Sequence, residues 1–314
     1  MRQKTAFTIS EVHARILFAL ARFHYLTAKQ VSRLFYPTLN DRNRHVQRKL
    51  KELVDAGYVL RLRALRTQQY GQDAHVFTLA DSGRKFVQMA GHRVEAIFRP
   101  SRERDASKNT PFMEHRLATI DVMIAAVALC RDNPYVTCPD MRSERELKRG
   151  ALKVDVPPRP GTEESVRRTA VIPDAWFQLW VAGTEEPNSV AIELDRGTED
   201  QRAWRQKIAA YVVWATGPYK AAFETDNLTV AVVCPKDTTR QAVLMRWTRQ
   251  ELRARGHEGL SEIFLFTAAC PVETKPEQFF FLPVWQQLDN TAVALLKKPA
   301  AVPVQESGVV YHSL

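Results

Sequence analysis

No apolar run in this 314-residue chain approaches the roughly 20 residues that a membrane-spanning helix needs. That excludes a helical anchor from the reading. The opening stretch MRQKTAFTIS carries charge but no apolar core of the kind a secretory leader requires, so a cytoplasmic protein is expected. Cysteine is scarce. Cys130, Cys138, Cys234 and Cys270 are far apart and form no CxxC pair, which points to reduced structural thiols rather than a zinc site or a disulfide framework. Internal repeats are also absent.

What the chain does have is core-forming material, with 45% hydrophobic residues and a length that corresponds to about two domains. Its net charge of +10 is unevenly placed. Residues 1–100 hold 18 Lys and Arg against 7 Asp and Glu, whereas residues 101–314 hold 27 against 28. A basic excess confined to the first third is the electrostatic footprint of a nucleic-acid binder, because it concentrates a polyanion near that part of the surface.

Along that basic third, Val12, Ile16, Leu20 and Phe23 recur at helical spacing behind Ser10, a suitable N-cap. Thr27 then precedes AKQVSRLF, a short helix that Pro37 cannot continue. A third helix is expected from just after Asn40 to about Ala56, with Gly57 where a left-handed residue would end it. Its apolar stripe is Val46, Leu50, Leu53 and Val54, and the opposite face offers Arg44, Gln47, Arg48 and Lys51. YVLRLRAL and AHVFTLA then read as two strands around the polar loop RTQQYGQD, and DSGRKFV as a closing helix. Three helices followed by a basic hairpin make a winged helix-turn-helix over residues 1–91. Its DNA-facing candidates are Lys29, Gln30, Arg42, Arg44, Gln47, Arg48 and Lys51, with Arg61 and Arg63 on the wing.

Residues 92–110 are polar and aperiodic and read as a linker. After them, Met113, Leu117, Ile120, Ile124 and Val127 describe a long helix. Strand-like segments follow near 135–138, 169–181, 189–195, 228–234 and 261–267, with helical patterns at 199–215 and 238–255. The order predicts an α/β (α+β) domain with a central mixed sheet flanked by helices over 111–298. Residues 154–165 read as an exposed insertion, the chain from about 271 is Pro-interrupted, and 299–314 reads as a C-terminal tail.

Inside the second domain, Glu193 and Asp195 stand two apart in SVAIELD and project from one face of a strand, about 7 Å apart along it. Asp174 lies within the neighbouring expected strand, on the parity of Trp176 and Gln178 and away from its more apolar face. Three carboxylates at one sheet edge are electrostatically costly without a cation among them, and a hard divalent ion is the natural occupant. Thr198 and Gln201 then have capping-box spacing at a helix start, and that helix carries Lys207 on the stripe of Trp204 and Tyr211, toward the sheet. A lysine placed there can relieve the carboxylate charge or orient a water; otherwise it lays its stem on the apolar stripe and reaches for solvent.

The ordered set IPD at 172–174, AIELDRGTE at 191–199 and WRQKIAAY at 204–211 resembles the PD-(D/E)xK nuclease-like superfamily. With the N-terminal winged helix, the chain from about Thr8 to Thr267 resembles the plasmid replication-relaxation family, which includes mobilisation relaxases. That resemblance implies a restriction-endonuclease-like core in which Asp174 and Glu193 hold Mg2+ or Mn2+ and a lysine assists the attacking water. Asp195 occupies the position where the superfamily's lysine usually stands, and Lys207 is the replacement. Asp195 is then a third ligand or a holder for Lys207. His115 reads as a packing or surface residue, and Glu144, in ERELKR, reads equally as a group that reaches the carboxylate cluster from the first strand or as part of a solvated charged turn.

The expected function is a plasmid or mobile-element protein that recognises a duplex site and nicks or relaxes it by metal-dependent hydrolysis. The alternative is a non-catalytic accessory or regulatory DNA binder on a degenerate nuclease-like scaffold, which the aspartate at 195 favours. The expected partners are double-stranded DNA, other plasmid replication or mobilisation proteins and a second copy of the chain, with no membrane.

Overall fold

The computed structural model describes residues 7–36, 42–62, 65–67, 71–92, 110–163 and 165–299, which fall into two compact units divided between Ile120 and Asp121. In the first unit, α1 (Glu11–Phe23) starts at a capping box in which the Ser10 hydroxyl accepts from the backbone of His13 and the His13 ring accepts from the Ser10 backbone. A two-residue strand, β1 (Leu26–Thr27), leads into α2 (Ala28–Phe35), which Thr27 and Gln30 cap in the same reciprocal way. The third helix expected from the sequence is α3 (Arg42–Asp55), followed by Gly57 at φ +79°, a conformation glycine adopts without strain.

The hairpin after α3 is longer than its pattern indicated. β2 (Val59–Arg61) and β5 (Val76–Leu79) pair antiparallel, β1 adds to β5, and the segment between them forms a second ladder of β3 (Leu65–Thr67) with β4 (Gly71–Ala74). Much of the stretch read as a polar loop is thus paired backbone. Polar side chains hid this, because the ladder's hydrogen bonds come from main-chain groups that every residue carries. The unit closes with α4 (Asp81–Met89), which runs so near β2 that a Cβ at Gly83 would stand 2.2 Å from the Tyr58 carbonyl oxygen.

A single helix, α5 (Thr110–Asp132), carries the chain from residues grouped with the first unit to residues grouped with the second. The Leu117 carbonyl accepts a hydrogen bond from the Gln30 amide at 2.8 Å, which groups this stretch of α5 with α2 rather than with the sheet domain expected from 111.

The second unit is built on an eight-stranded mixed sheet. β10 (Ala175–Val181) pairs antiparallel with β6 (Val136–Thr137), β7 (Met141–Ser143) and β11 (Asn188–Leu194). β12 (Thr229–Val233) and β13 (Phe264–Thr267) continue it in parallel, and β14 (Trp285–Gln286) and β15 (Ala292–Val293) extend it antiparallel. The Pro-interrupted segment after 271 therefore builds a short helix, α10 (Pro276–Phe281), and two edge strands rather than only irregular chain.

The expected strand over 169–181 is split. Its first part, β9 (Arg167–Ala170), pairs with β8 (Lys153–Val156) in a separate hairpin, and Pro173, which has no N–H to donate, lies in the break before β10. β8 itself runs into the stretch read as an insertion. Between β7 and β8, ERELKR forms a short helix, α6 (Glu144–Arg149), capped by Ser143 and Glu146, where a solvated turn was one of the two readings.

Two helices, α7 (Gln201–Thr216) and α9 (Thr238–Arg255), cover one face of this sheet. Trp176, Ala191, Val230, Val232, Phe264 and Phe266 meet Trp204, Ile208, Tyr211, Trp214, Leu244 and Leu252 in one core. Trp176, Trp204, Trp214 and Trp285 are among the largest fully buried side chains of this unit, and at roughly 25 cal/mol per Å2 of apolar surface each is among its larger single contributions. All four cysteines are free, and burial pushes the Cys130 and Cys234 thiols up to about 12, so both behave as inert packing groups.

Candidate functional site

Glu193 shares its strand face with Ala191, and that face meets α7. Its carboxylate is buried, with 3% exposure. Lys207 donates to Glu193 Oε2 at 2.8 Å and Tyr211, one helical turn further along α7, donates to Oε1 at 2.5 Å. Lys207 also donates to Glu199 Oε1 at 2.5 Å, in the turn that leads into α7. The inward stripe Trp204, Lys207, Tyr211 read from the sequence is thus realised, with the ammonium on carboxylates rather than in open solvent.

Asp174 stands just before β10, where its backbone N–H donates to the Ile192 carbonyl at 3.0 Å and its Oδ2 accepts from the Leu194 N–H at 2.8 Å. These contacts bracket Glu193 on the adjacent strand. The Glu144 N–H donates to the Asp174 carbonyl at 3.1 Å, so α6 starts beside the same loop, while the Glu144 side chain pairs with Lys148.

Charge in this pocket is redistributed by burial. Desolvation raises the Glu193 carboxyl to about 7, with the Asp174 charge adding to it and Lys207 opposing it. Desolvation alone would depress the Lys207 ammonium, but Glu193, Glu199 and Asp174 together outweigh it and hold the group above its ordinary value. Tyr211 is driven well above the usual phenol range, first by burial and then by the Glu193 charge, and so remains a hydrogen-bond donor.

Asp195 does not join the Asp174–Glu193 pair as expected. It lies one residue past the end of β11, where Arg240 from the first turn of α9 grips it with two hydrogen bonds, Nε to Oδ1 at 2.7 Å and Nη2 to Oδ2 at 2.9 Å. The Gly197 N–H adds a bond to Oδ1 at 2.7 Å. Both Asp195 oxygens accept from the Arg240 guanidinium, so the residue anchors the 195–200 turn to α9. Arg240 also donates to the Glu199 carbonyl at 2.6 Å, which ties the same turn from a second side.

Sequence reasoning did not find Arg240, 45 residues downstream of its partner, because no local spacing connects them. Tyr211 was legible as i+4 from Lys207 on the inward stripe. Glu199 was legible within the turn, though its contact with Lys207 was not. The helix cap also differs: Asp200 accepts from the Ala203 N–H at 2.7 Å and is the N-cap, in place of Thr198 with Gln201.

In the first unit, Arg44, Gln47, Arg48 and Lys51 lie on the outward side of α3, while Val46, Leu50 and Leu53 on its other side are fully buried. Val54 is half-buried. Lys51 pairs with Asp55 at 2.5 Å, and Arg48 lies 3.8 Å from Glu52. Lys29 and Arg61 are exposed. Gln30 is not on the outward face as expected, because its side chain caps α2 and it is 1% exposed. Arg63 and the side chain of Arg42 lie outside the described residues. His13, unremarked in the sequence, is buried and hydrogen-bonds Glu52 at 2.8 Å.

Among the described residues no group of three or more His, Cys, Asp and Glu side chains is gathered as a metal site. The donor set nevertheless suits a cation on two counts. Asp174 and Glu193 are close enough for one charge to raise the other, and Glu199 Oε2 is a buried oxygen with no hydrogen-bond partner among the described residues. Mg2+ is commonly held by only one or two protein carboxylates with waters and substrate phosphate completing the shell.

Fold and site together define an α/β protein in which a mixed sheet flanked by helices presents a buried Glu193, a half-buried Asp174 and a lysine. The replication-relaxation family model matches residues 17–232, more than two thirds of the chain, and the chain belongs to that family. No curated protein and no solved structure matches it. Family membership points to a replication-related role, and no helix among the described residues is long and apolar enough to cross a membrane.

Proposed function

We propose that this chain is a plasmid or mobile-element protein that docks on duplex DNA through its basic first unit and cuts a phosphodiester bond at the Asp174–Glu193–Lys207 site. The observation that carries the reading is the contact of Lys207 with Glu193 at 2.8 Å: a lysine 14 residues along the chain from Glu193, on the next helix, still reaches the acidic pair. The order of elements around it, an acidic residue before β10, a second on β11 and a lysine on the next helix, supports a restriction-endonuclease-like core. The arrangement of α1, α2, α3 and the β2–β5 hairpin, with basic side chains exposed on α3, supports a winged helix-turn-helix.

Asp174 and Glu193 would hold a divalent ion, Mg2+ or Mn2+, which supplies polarisation of the scissile phosphate and a water of lowered pKa. Lys207 keeps its proton, so its task is to orient a water and offset charge building on the phosphate, not to remove a proton. Tyr211 holds the far oxygen of Glu193, and Glu199 holds Lys207 from the solvent side.

A supercoiled-plasmid nicking assay with Mg2+ and Mn2+, on the wild type and on Lys207→Ala, tests this. Metal-dependent nicking that Lys207→Ala abolishes while DNA affinity persists is expected. Absence of nicking under both ions, together with no divalent-ion binding by calorimetry, overturns it.

One observation favours the non-catalytic alternative, in which the same scaffold serves only to bind and regulate. Both Glu193 oxygens and both Asp195 oxygens are taken by protein donors, as in a closed structural network. That reading predicts that Asp174→Asn and Glu193→Gln alter stability without any effect on divalent-ion affinity.

A further inference from the structure

The near-neutral charge of residues 101–314 conceals a polarised surface. α7 contains no Asp or Glu, and the only one on α9, Glu251, is 2% exposed and pairs with Arg255 at 2.6 Å. The acidic groups at the helix starts are also occupied, since Asp200 and Asp237 are N-caps bonded to the N–H groups of Ala203 and Arg240. Between those caps and Gly256, which ends α9, the two helices therefore offer solvent only cationic and neutral side chains.

Arginine fills that space. Arg246, Arg249 and Arg253 recur at i, i+3 and i+7 on α9 with Gln250 among them, and Arg246, Arg249, Gln250 and Arg253 all lie on its solvent side. Arg202 is exposed and Arg205 half-exposed on the first turns of α7. The helices meet along this side: Arg205 donates to Gln250 Oε1 at 2.7 Å, and beneath it Trp204 donates to Thr248 at 2.9 Å. Arg202, Arg246 and Arg253 make no ion pair or side-chain hydrogen bond among the described residues. Solvated helix faces ordinarily intersperse both signs, because like charges one turn apart repel and a Glu four residues before an Arg relieves it. Neither helix supplies that relief on this face.

We propose that the paired outer faces of α7 and α9 form a second DNA-contacting surface, which holds the phosphate backbone of duplex DNA without reading its sequence. Guanidinium groups present planar forks that match phosphate oxygens, and a set of them on two adjacent helices suits a repeating polyanion better than an isolated charged group. A membrane surface is the poorer fit, because the face carries no exposed large apolar side chain to insert. The inference rests on the DNA-binding part of the proposed function and is independent of cleavage. It assigns affinity to the unit whose net charge gave no sign of it.

The test uses the full-length chain and a duplex of about 30 base pairs, with affinity followed by fluorescence anisotropy as salt is raised. Arg202→Gln/Arg246→Gln/Arg253→Gln is compared with wild type and with Arg44→Gln/Arg48→Gln on α3. Glutamine is a good helix former and the three arginines hold no other side chain, so an unchanged melting temperature is expected. Binding should weaken roughly tenfold or more at low salt, and the salt slope should flatten by about 0.9 for each phosphate that is no longer neutralised. Duplexes of different sequence should suffer equally. A triple variant with wild-type affinity and slope overturns the inference, and if the α3 variant then loses binding, the DNA-binding reading itself stands. If neither the wild type nor any variant binds DNA, both fall. Unchanged DNA affinity with lost retention on polyglutamate also overturns it, in favour of an acidic protein partner.

Discussion

The two units carry charge in opposite ways. On α3 of the first unit the cations are long and reach into solvent, and Lys51 meets an exposed acid of its own helix, Asp55. In the second unit, the charges that matter are withdrawn from water: Glu193 beneath Lys207 and Tyr211, and Asp195 beneath Arg240. The contrast shows that net charge reports only an unbalanced excess, because opposite charges cancel in it wherever they lie. It singled out the first unit and was silent about the buried pairs, whose effect on stability and chemistry is larger per group because water does not screen them.

The sharpest way to break this comparison is at Arg240. Arg240→Ala leaves Asp195 buried at 4% exposure without its partner, and should cost about 3 to 5 kcal/mol in denaturant unfolding. A cost below about 1 kcal/mol would place this pair with the surface ones.

Glu193 gives the next effect, and its sign is fixed by the direction of its shift. A carboxyl raised from 4.5 to about 7 in the fold favours the protonated form, so its stabilising contribution is complete below pH 4.5 and is lost as pH rises through 7. Glu193→Gln removes that titration. In EDTA, the variant should therefore gain on the wild type between about pH 5 and pH 7.5, by at most about 3 kcal/mol. A pH-independent difference would mean that Glu193 ionises normally in its pocket.

Exposed cations act on affinity instead. Arg44→Ala/Arg48→Ala/Lys51→Ala should leave thermal stability nearly unchanged and weaken duplex binding, with about 1 to 3 kcal/mol for each side chain that reads a base and a flatter salt slope for each that meets a phosphate. Equal affinity and slope would move the docking surface elsewhere. The smallest effect belongs to Asp55→Ala, which opens only a solvent-exposed ion pair and should change stability by less than about 1 kcal/mol in thermal unfolding.

Periodicity made the helices legible because an amphipathic stripe is a local property: α3, α7 and α9 were readable to within a few residues, and Lys207 could be placed inward from its spacing to Trp204 and Tyr211 alone. Pairings across the sheet were not legible. β9 leaves the strand expected over 169–181 to join β8, and Asp195 meets an arginine from another helix, and both depend on distances in the fold that no window of sequence contains. Gln30 failed for a related reason, since a polar side chain near a helix start serves equally as a cap or as a surface donor.

The grip of Arg240 on Asp195 also limits how this site can change over generations. A lysine introduced at position 195 by a single substitution would set an ammonium against the half-buried Arg240 guanidinium, and should lower stability. Only a double change, with 240 losing its charge as 195 gains one, crosses without that penalty. Positions 195 and 240 are thus expected to vary together.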